Sequence, residues 1–132
     1  AHVGLDTIDM AQRWPNSQIF AFEPNPKIFL ELLSRTRTYE NIRCFPYALS
    51  NKSGEADFYV SSGTSDLWSS LLKPHKNLKN YRPDILFEQP ICVNTLTLDE
   101  WSKLYNVSNY CRRYEMEQGR GCSFFKRCVK YS

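Results

Sequence analysis

The chain has 132 residues, 42% of them hydrophobic and 14% aromatic. That is enough to bury one ordinary core and too apolar for a disordered chain, so one domain, or part of one, is expected. No run of about 18 apolar residues occurs, and no basic segment leads into an apolar stretch at the start, so neither a membrane span nor a signal peptide is expected, and the setting is read as cytoplasmic.

The formal net charge of +3 sits at one end. Six basic and two acidic residues lie between Arg112 and Ser132, which leaves the first 111 residues near −1 and gives the main body no basic face for nucleic acid. The five cysteines, Cys44, Cys92, Cys111, Cys122 and Cys128, are odd in number and contain no CxxC pair. A disulfide framework or a zinc site is therefore not expected, and Cys44 and Cys92, inside apolar strand-like runs, read as small buried hydrophobes.

In chain order, Thr7 to Trp14 carries Ile8, Met10, Ala11 and Trp14 at helical spacing, and Pro15-Asn16-Ser17 ends it. Gln18 to Phe22 follows as a strand whose unbroken Ile19-Phe20-Ala21-Phe22 run suits cover on both faces. Asn25-Pro26 starts the next helix, since asparagine caps free amides and proline loses nothing at the first helical position. Ile28, Phe29, Leu32 and Leu33 are its expected buried stripe. Ile42 to Leu49 reads as a strand, bent or ended at Pro46.

Asn51-Lys52-Ser53-Gly54 is turn chemistry, and Ala56, Phe58 and Val60 alternate with Asp57, Tyr59 and Ser61 as in an antiparallel strand with one wet face. Ser61 to Ser70 is expected as a serine-rich loop and Leu71 to Gln89 as an irregular connection. Pro90 to Leu96 is a further strand, and Thr97-Leu98-Asp99-Glu100 is a capping box opening a helix that runs to about Tyr105. The alternation of helix and strand predicts an α/β domain with a mostly parallel sheet flanked by helices and an antiparallel addition.

Two features point to a binding site. Glu23 is a lone carboxylate at the end of an apolar strand, where ligands of open α/β sheets gather and where an acid can accept hydrogen bonds from a ribose diol; position alone equally admits a solvated strand end. Gly4 precedes the first helix, where backbone amides and the helix dipole favour a carboxylate ligand. Glu23 follows Gly4 by 19 residues, close to the interval between the glycine turn and the ribose acid of Rossmann-type nucleotide sites.

Ala1-His2-Val3-Gly4-Leu5-Asp6-Thr7, Ala21-Phe22-Glu23-Pro24-Asn25-Pro26, Tyr47-Ala48-Leu49-Ser50 with Gly54, and Val93 to Glu100 together resemble the motifs of the FkbM-type methyltransferases, over Ala1 to about Asn109. The resemblance implies an incomplete Rossmann-like fold, S-adenosylmethionine as cofactor, and transfer of its methyl group to an oxygen of a small hydroxylated or sugar-like acceptor. It implies that Gly4 lies under the methionine part, Glu23 binds the ribose hydroxyls, Asn25 shapes the adjoining loop, and Ala48 and Leu49 line the adenine pocket. His2 stands where the family commonly has asparagine. No catalytic base is assigned: His75 sits in a basic, proline-flanked connection, and Ser65, Asp66 and Ser69 fall in the serine-rich loop.

Residues 1–109 thus read as a partial methyltransferase domain and 110–132 as a divergent, basic, cysteine-containing tail. There the family pattern stops, since the adjacent Arg112 and Arg113 do not suit a doubly covered strand. A shifted reading frame, or a divergent end in which Glu115 or Glu117 replaces the family's acid, would each account for it. Three other readings remain at this point. A nicotinamide oxidoreductase lacks its third glycine after Gly4. A non-catalytic α/β binding module would keep the scaffold without the cofactor. A nucleic-acid arm would use Arg112, Arg113, Arg120, Lys126, Arg127 and Lys130 among Tyr114, Phe124, Phe125 and Tyr131.

Overall fold

The computed structural model describes residues 1–63, 69–74 and 83–107. The elements are α1 (Leu5–Arg13), β1 (Ile19–Phe22), α2 (Pro26–Thr36), β2 (Ile42–Phe45), β3 (Ala48–Leu49), β4 (Gly54–Phe58), β5 (Ser61–Gly63), β6 (Ile85–Phe87), β7 (Ile91–Leu96) and α3 (Leu98–Leu104). The tail from residue 108 onward, and with it the arginine pair, lies outside the described residues.

β1 and β2 pair in parallel, Ile19 with Ile42 through Phe22 with Phe45, joined by the crossover helix α2. All four β1 residues are buried, as the unbroken apolar run predicts. Side chains alternate across a strand. Phe20 and Phe22 join Phe45, Leu49 and Trp101 on the side of α3, while Ala21 packs with Ala1 and Leu32 on the side of α2. Trp101, 1% exposed, meets Phe20, Phe22 and Phe45 edge-to-face with ring centroids 4.9, 5.0 and 5.3 Å away. Such pairs add about 0.5–1.5 kcal/mol each beyond the area they bury.

Asn25 caps α2 by accepting the Lys27 amide on its side-chain oxygen at 3.1 Å, with Pro26 at the first helical position. The buried stripe of α2 differs from the expected one. Leu32 and Thr36 are buried and Ile28 and Phe29 half-buried, but Leu33 is 41% exposed, because a narrow stripe suffices where the facing strands present alanine and cysteine. On α1 the inward face is Thr7 and Ala11, with Ile8 and Met10 only half-buried.

Asn41 ties α1 to the sheet. Its side-chain nitrogen donates toward the carbonyls of Ala11, Trp14 and Ser17 at 3.2, 3.4 and 3.2 Å, which satisfies the helix end and the loop after it.

The expected strand Ile42 to Leu49 divides at Pro46. Its second half, β3, leaves β2 and pairs in parallel with β7, Ala48 opposite Thr95. β4 flanks the other edge of β7 in antiparallel register, Gly54 opposite Thr95 through Phe58 opposite Ile91. On this sheet Ala48, Phe58 and Val93 share a core cluster while Glu55, Asp57, Cys92 and Asn94 face outward. Cys92 is therefore exposed, not buried as expected, because it stands one residue out of phase with Val93; Cys44 is half-buried.

A further correction concerns the serine-rich loop and the connection after it. Ser61–Gly63 and Ile85–Phe87 form an antiparallel pair, beside an isolated antiparallel bridge between Tyr59 and Ser70. Short, partly polar strands carry too little pattern of their own and form only where a partner is supplied. Two parallel pairings, β1–β2 and β3–β7, and two antiparallel ones, β4–β7 and β5–β6, make a mixed α/β arrangement, not a mostly parallel one, among the described residues.

At the start of α3 the Thr97 hydroxyl accepts the Glu100 amide at 3.2 Å, but the Thr97 amide donates to Ser53 Oγ at 2.9 Å, so only half of the expected capping box forms. No helix among the described residues is long and apolar enough to cross a membrane.

Candidate functional site

The carboxyl end of β1 delivers Glu23 into a turn made by the first four residues. The Glu23 amide donates to the Phe45 carbonyl at 3.0 Å, extending the β1–β2 ladder by one bond and fixing where the side chain emerges. Its Oε2 accepts the His2 amide at 2.8 Å and its Oε1 accepts the Asn25 amide at 3.0 Å. The Ala1 nitrogen donates to the Phe22 carbonyl at 2.8 Å and lies 3.5 Å from Glu23 Oε2. Glu23 is only 6% exposed, so the reading of it as a solvated strand end is set aside.

A carboxylate offers roughly four lone-pair sites, and backbone amides charge one on each oxygen here with short bonds. Oε2 takes the Ala1 nitrogen as its second donor, and Oε1 keeps capacity for a further one.

The turn opposite Glu23 has an unusual backbone. His2 has φ +45° and Gly4 φ +88°, both in the left-handed region, and the Gly4 amide closes the turn on the Ala1 carbonyl at 3.0 Å. Gly4 is then the N-cap of α1, its carbonyl accepting the Ile8 amide at 2.9 Å. A Cβ at Gly4 would stand 2.6 Å from Leu32 Cδ1, so the glycine is required by close approach to α2 as well as by its φ.

Gly4, Glu23 and Asn25 are therefore brought together: the turn containing Gly4 supplies one amide to Glu23, and Asn25, 8% exposed, supplies the other while capping α2. Ala48 and Leu49 belong to β3. Their side chains, 7% and 8% exposed, enter the Phe58–Val93 cluster and the aromatic cluster respectively. Leu49 thereby shares a cluster with Phe22, the neighbour of Glu23.

His2 acts through its backbone, which no feature of the sequence announces; its imidazole is half-buried. Ser69 Oγ accepts the Ser61 amide at 3.0 Å, which makes it part of the strand junction. His75, Ser65 and Asp66 lie outside the described residues. No group of three or more His, Cys, Asp or Glu side chains that could hold a metal occurs among the described residues. Burial pushes the Cys44 thiol above its ordinary pKa, against a lowering contact with Thr36 Oγ1 at 3.4 Å. A hydrogen bond with Tyr47 raises the Tyr105 phenol likewise.

Over 103 residues the chain is 32% identical to the 2-O-methyltransferase NoeI of Sinorhizobium fredii (strain NBRC 101917 / NGR234), a match that covers 74% of this chain and 42% of that protein. The chain thus spans less than half the length of that relative. No family model matches the chain, and no solved structure matches it. This partial similarity supports a methyltransferase family for the chain.

Proposed function

We propose that the chain is part of an S-adenosylmethionine-dependent O-methyltransferase of the FkbM type, with a Rossmann-like fold and a small hydroxylated or sugar-like acceptor. The observation that carries the reading is Glu23: a buried carboxylate at the carboxyl end of β1, with Oε2 held by the His2 amide and the Ala1 nitrogen and Oε1 held by the Asn25 amide alone, open to one more donor. An acid at this place, with Oε1 open, fits a hydroxyl of a ribose diol. The similarity to a 2-O-methyltransferase supports a hydroxyl oxygen as acceptor.

In this reading Glu23 grips the ribose, and the Gly4 turn, with its backbone at the start of α1, lies under the methionine carboxylate. Asn25 holds Glu23 from the side of α2. Ala48 and Leu49, packed into their clusters, form an apolar floor for the adenine. The bound cofactor supplies an electrophilic methyl group. The chain's own contribution is positioning, since an in-line displacement gains most of its rate from holding donor and acceptor in line.

Calorimetric titration of the chain with S-adenosylhomocysteine tests the reading, with Glu23→Gln in parallel. Saturable binding is expected, weakened at least tenfold by Glu23→Gln, because an amide nitrogen cannot accept the hydrogen bonds that one of the two carboxylate oxygens accepts. Absence of heat from the unaltered chain would favour the non-catalytic binding module.

A further inference from the structure

Both amides that hold Glu23 trace back to α2. Asn25 is its N-cap, and the Ala1–Gly4 turn rests on its later residues. Leu32 is fully buried and Thr36 is 5% exposed. A Cβ at Gly4 would lie 2.6 Å from Leu32 Cδ1 and 3.4 Å from Thr36 Cγ2, so these two side chains are the surface on which the glycine sits.

The Thr36 rotamer is fixed from its polar side. Its hydroxyl donates to the Leu32 carbonyl at 2.8 Å and contacts Cys44 Sγ at 3.4 Å, which leaves the methyl group turned toward Gly4. From there the turn is short: Gly4 bonds back to Ala1, and His2, between them, donates to Glu23.

We propose that Leu32 and Thr36 are positioning residues for the Glu23 site: they seat Gly4, and through it hold the His2 amide on the carboxylate, so that the setting of α2 tunes affinity for the ligand. The affinity part rests on the methyl-donor reading; the seating part stands without it. By linkage, a ligand that draws on this arrangement must in turn protect the turn and α2 from opening.

The test uses Leu32→Val and Thr36→Ser, the second keeping the hydroxyl and removing only the methyl group. Ile91→Ala, in the cluster of Phe58 and Val93, serves as a destabilised control. Amide exchange of His2 and Gly4 is followed in the chain without ligand, and the dissociation constant of S-adenosylhomocysteine by calorimetry. Leu32→Val and Thr36→Ser are expected to speed His2 exchange and weaken binding, each about tenfold, while Ile91→Ala lowers Tm and moves neither.

Unchanged His2 exchange in both variants, or an equal effect of Ile91→Ala, would overturn the seating. Faster exchange with an unchanged dissociation constant would overturn the coupling to ligand. Should the unaltered chain bind nothing while His2 exchange still responds, the methyl-donor reading fails and the seating stands.

Discussion

Gly4 and Gly54 both have positive φ, +88° and +137°, yet differ in what surrounds them, and replacing each by alanine separates two costs. At Gly54 nothing lies within 4 Å of the added Cβ, so only the backbone conformation is penalised, about 1–2 kcal/mol. At Gly4, nearer the left-handed helical well, a backbone cost of about 1–2 kcal/mol applies, and in addition the Cβ would stand 2.6 Å from Leu32 Cδ1, well inside the 3.4–4 Å of ordinary contact. Leu32 is fully buried and cannot swing away, so overpacking adds about 1–3 kcal/mol. Gly4→Ala should therefore cost about 2–5 kcal/mol, with a packing part that has no counterpart at Gly54. Urea unfolding followed by tryptophan fluorescence, read as a shift of midpoint at constant m, measures both. A Gly4→Ala loss confined to the backbone part of about 1–2 kcal/mol would refute the argument that α2 presses on the turn.

Asn41→Ala should cost about 1–2 kcal/mol and raise amide exchange at the end of α1, because three carbonyls share its side-chain nitrogen; exchange confined to other elements would contradict this. Trp101→Ala should cost about 3–5 kcal/mol by thermal unfolding. Trp101→Phe should cost markedly less, since the indole N–H has no acceptor among the described residues and its removal relieves a buried donor. Raised above its ordinary value near 9.0 by burial, the Cys44 thiol stays protonated in the folded chain while the unfolded chain ionises first. Its contribution to stability is then complete below about pH 9 and declines as pH rises further, a decline that Cys44→Ala should lessen in urea titrations at pH 8 and 10.

Much of the framework is written locally. Ile19 to Phe22 could only be a strand covered twice, and Asn25-Pro26 and Thr97 mark helix starts through capping groups that act within three residues. Glu23 and Gly4 stand out because a carboxylate after an apolar run and a glycine before a helix are each locally costly without a reason. What escapes depends on distant partners. Asn41 carries no signal in the sequence, because the carbonyls of Ala11, Trp14 and Ser17 reach it only in the fold. Ser61–Gly63 becomes a strand only against Ile85–Phe87, and Pro46 hides a change of partner between β2 and β3. Which side of α2 is buried followed from what faces it, and hydrophobic spacing alone left Leu33 on the wrong side.

The two meanings of Glu23, loop-forming acid and ligand-binding acid, rest on the same hydrogen bonds. A buried carboxylate is tolerated only if its charge is answered, and here the His2 and Asn25 amides, one on each oxygen, and the Ala1 nitrogen 3.5 Å from Oε2 answer it. These donors also fix the direction of the lone pair left on Oε1, so the cost of orienting the group is met during folding, before any ligand arrives. This explains why the left-handed backbone at His2 and Gly4 is kept beside it: strain in a short turn places an amide where a side-chain donor would have to be ordered at greater entropic cost. The stability of the turn and the affinity of the site are thus two readings of one arrangement, and α2, which anchors the turn at Gly4 and the loop at Asn25, is the element common to both.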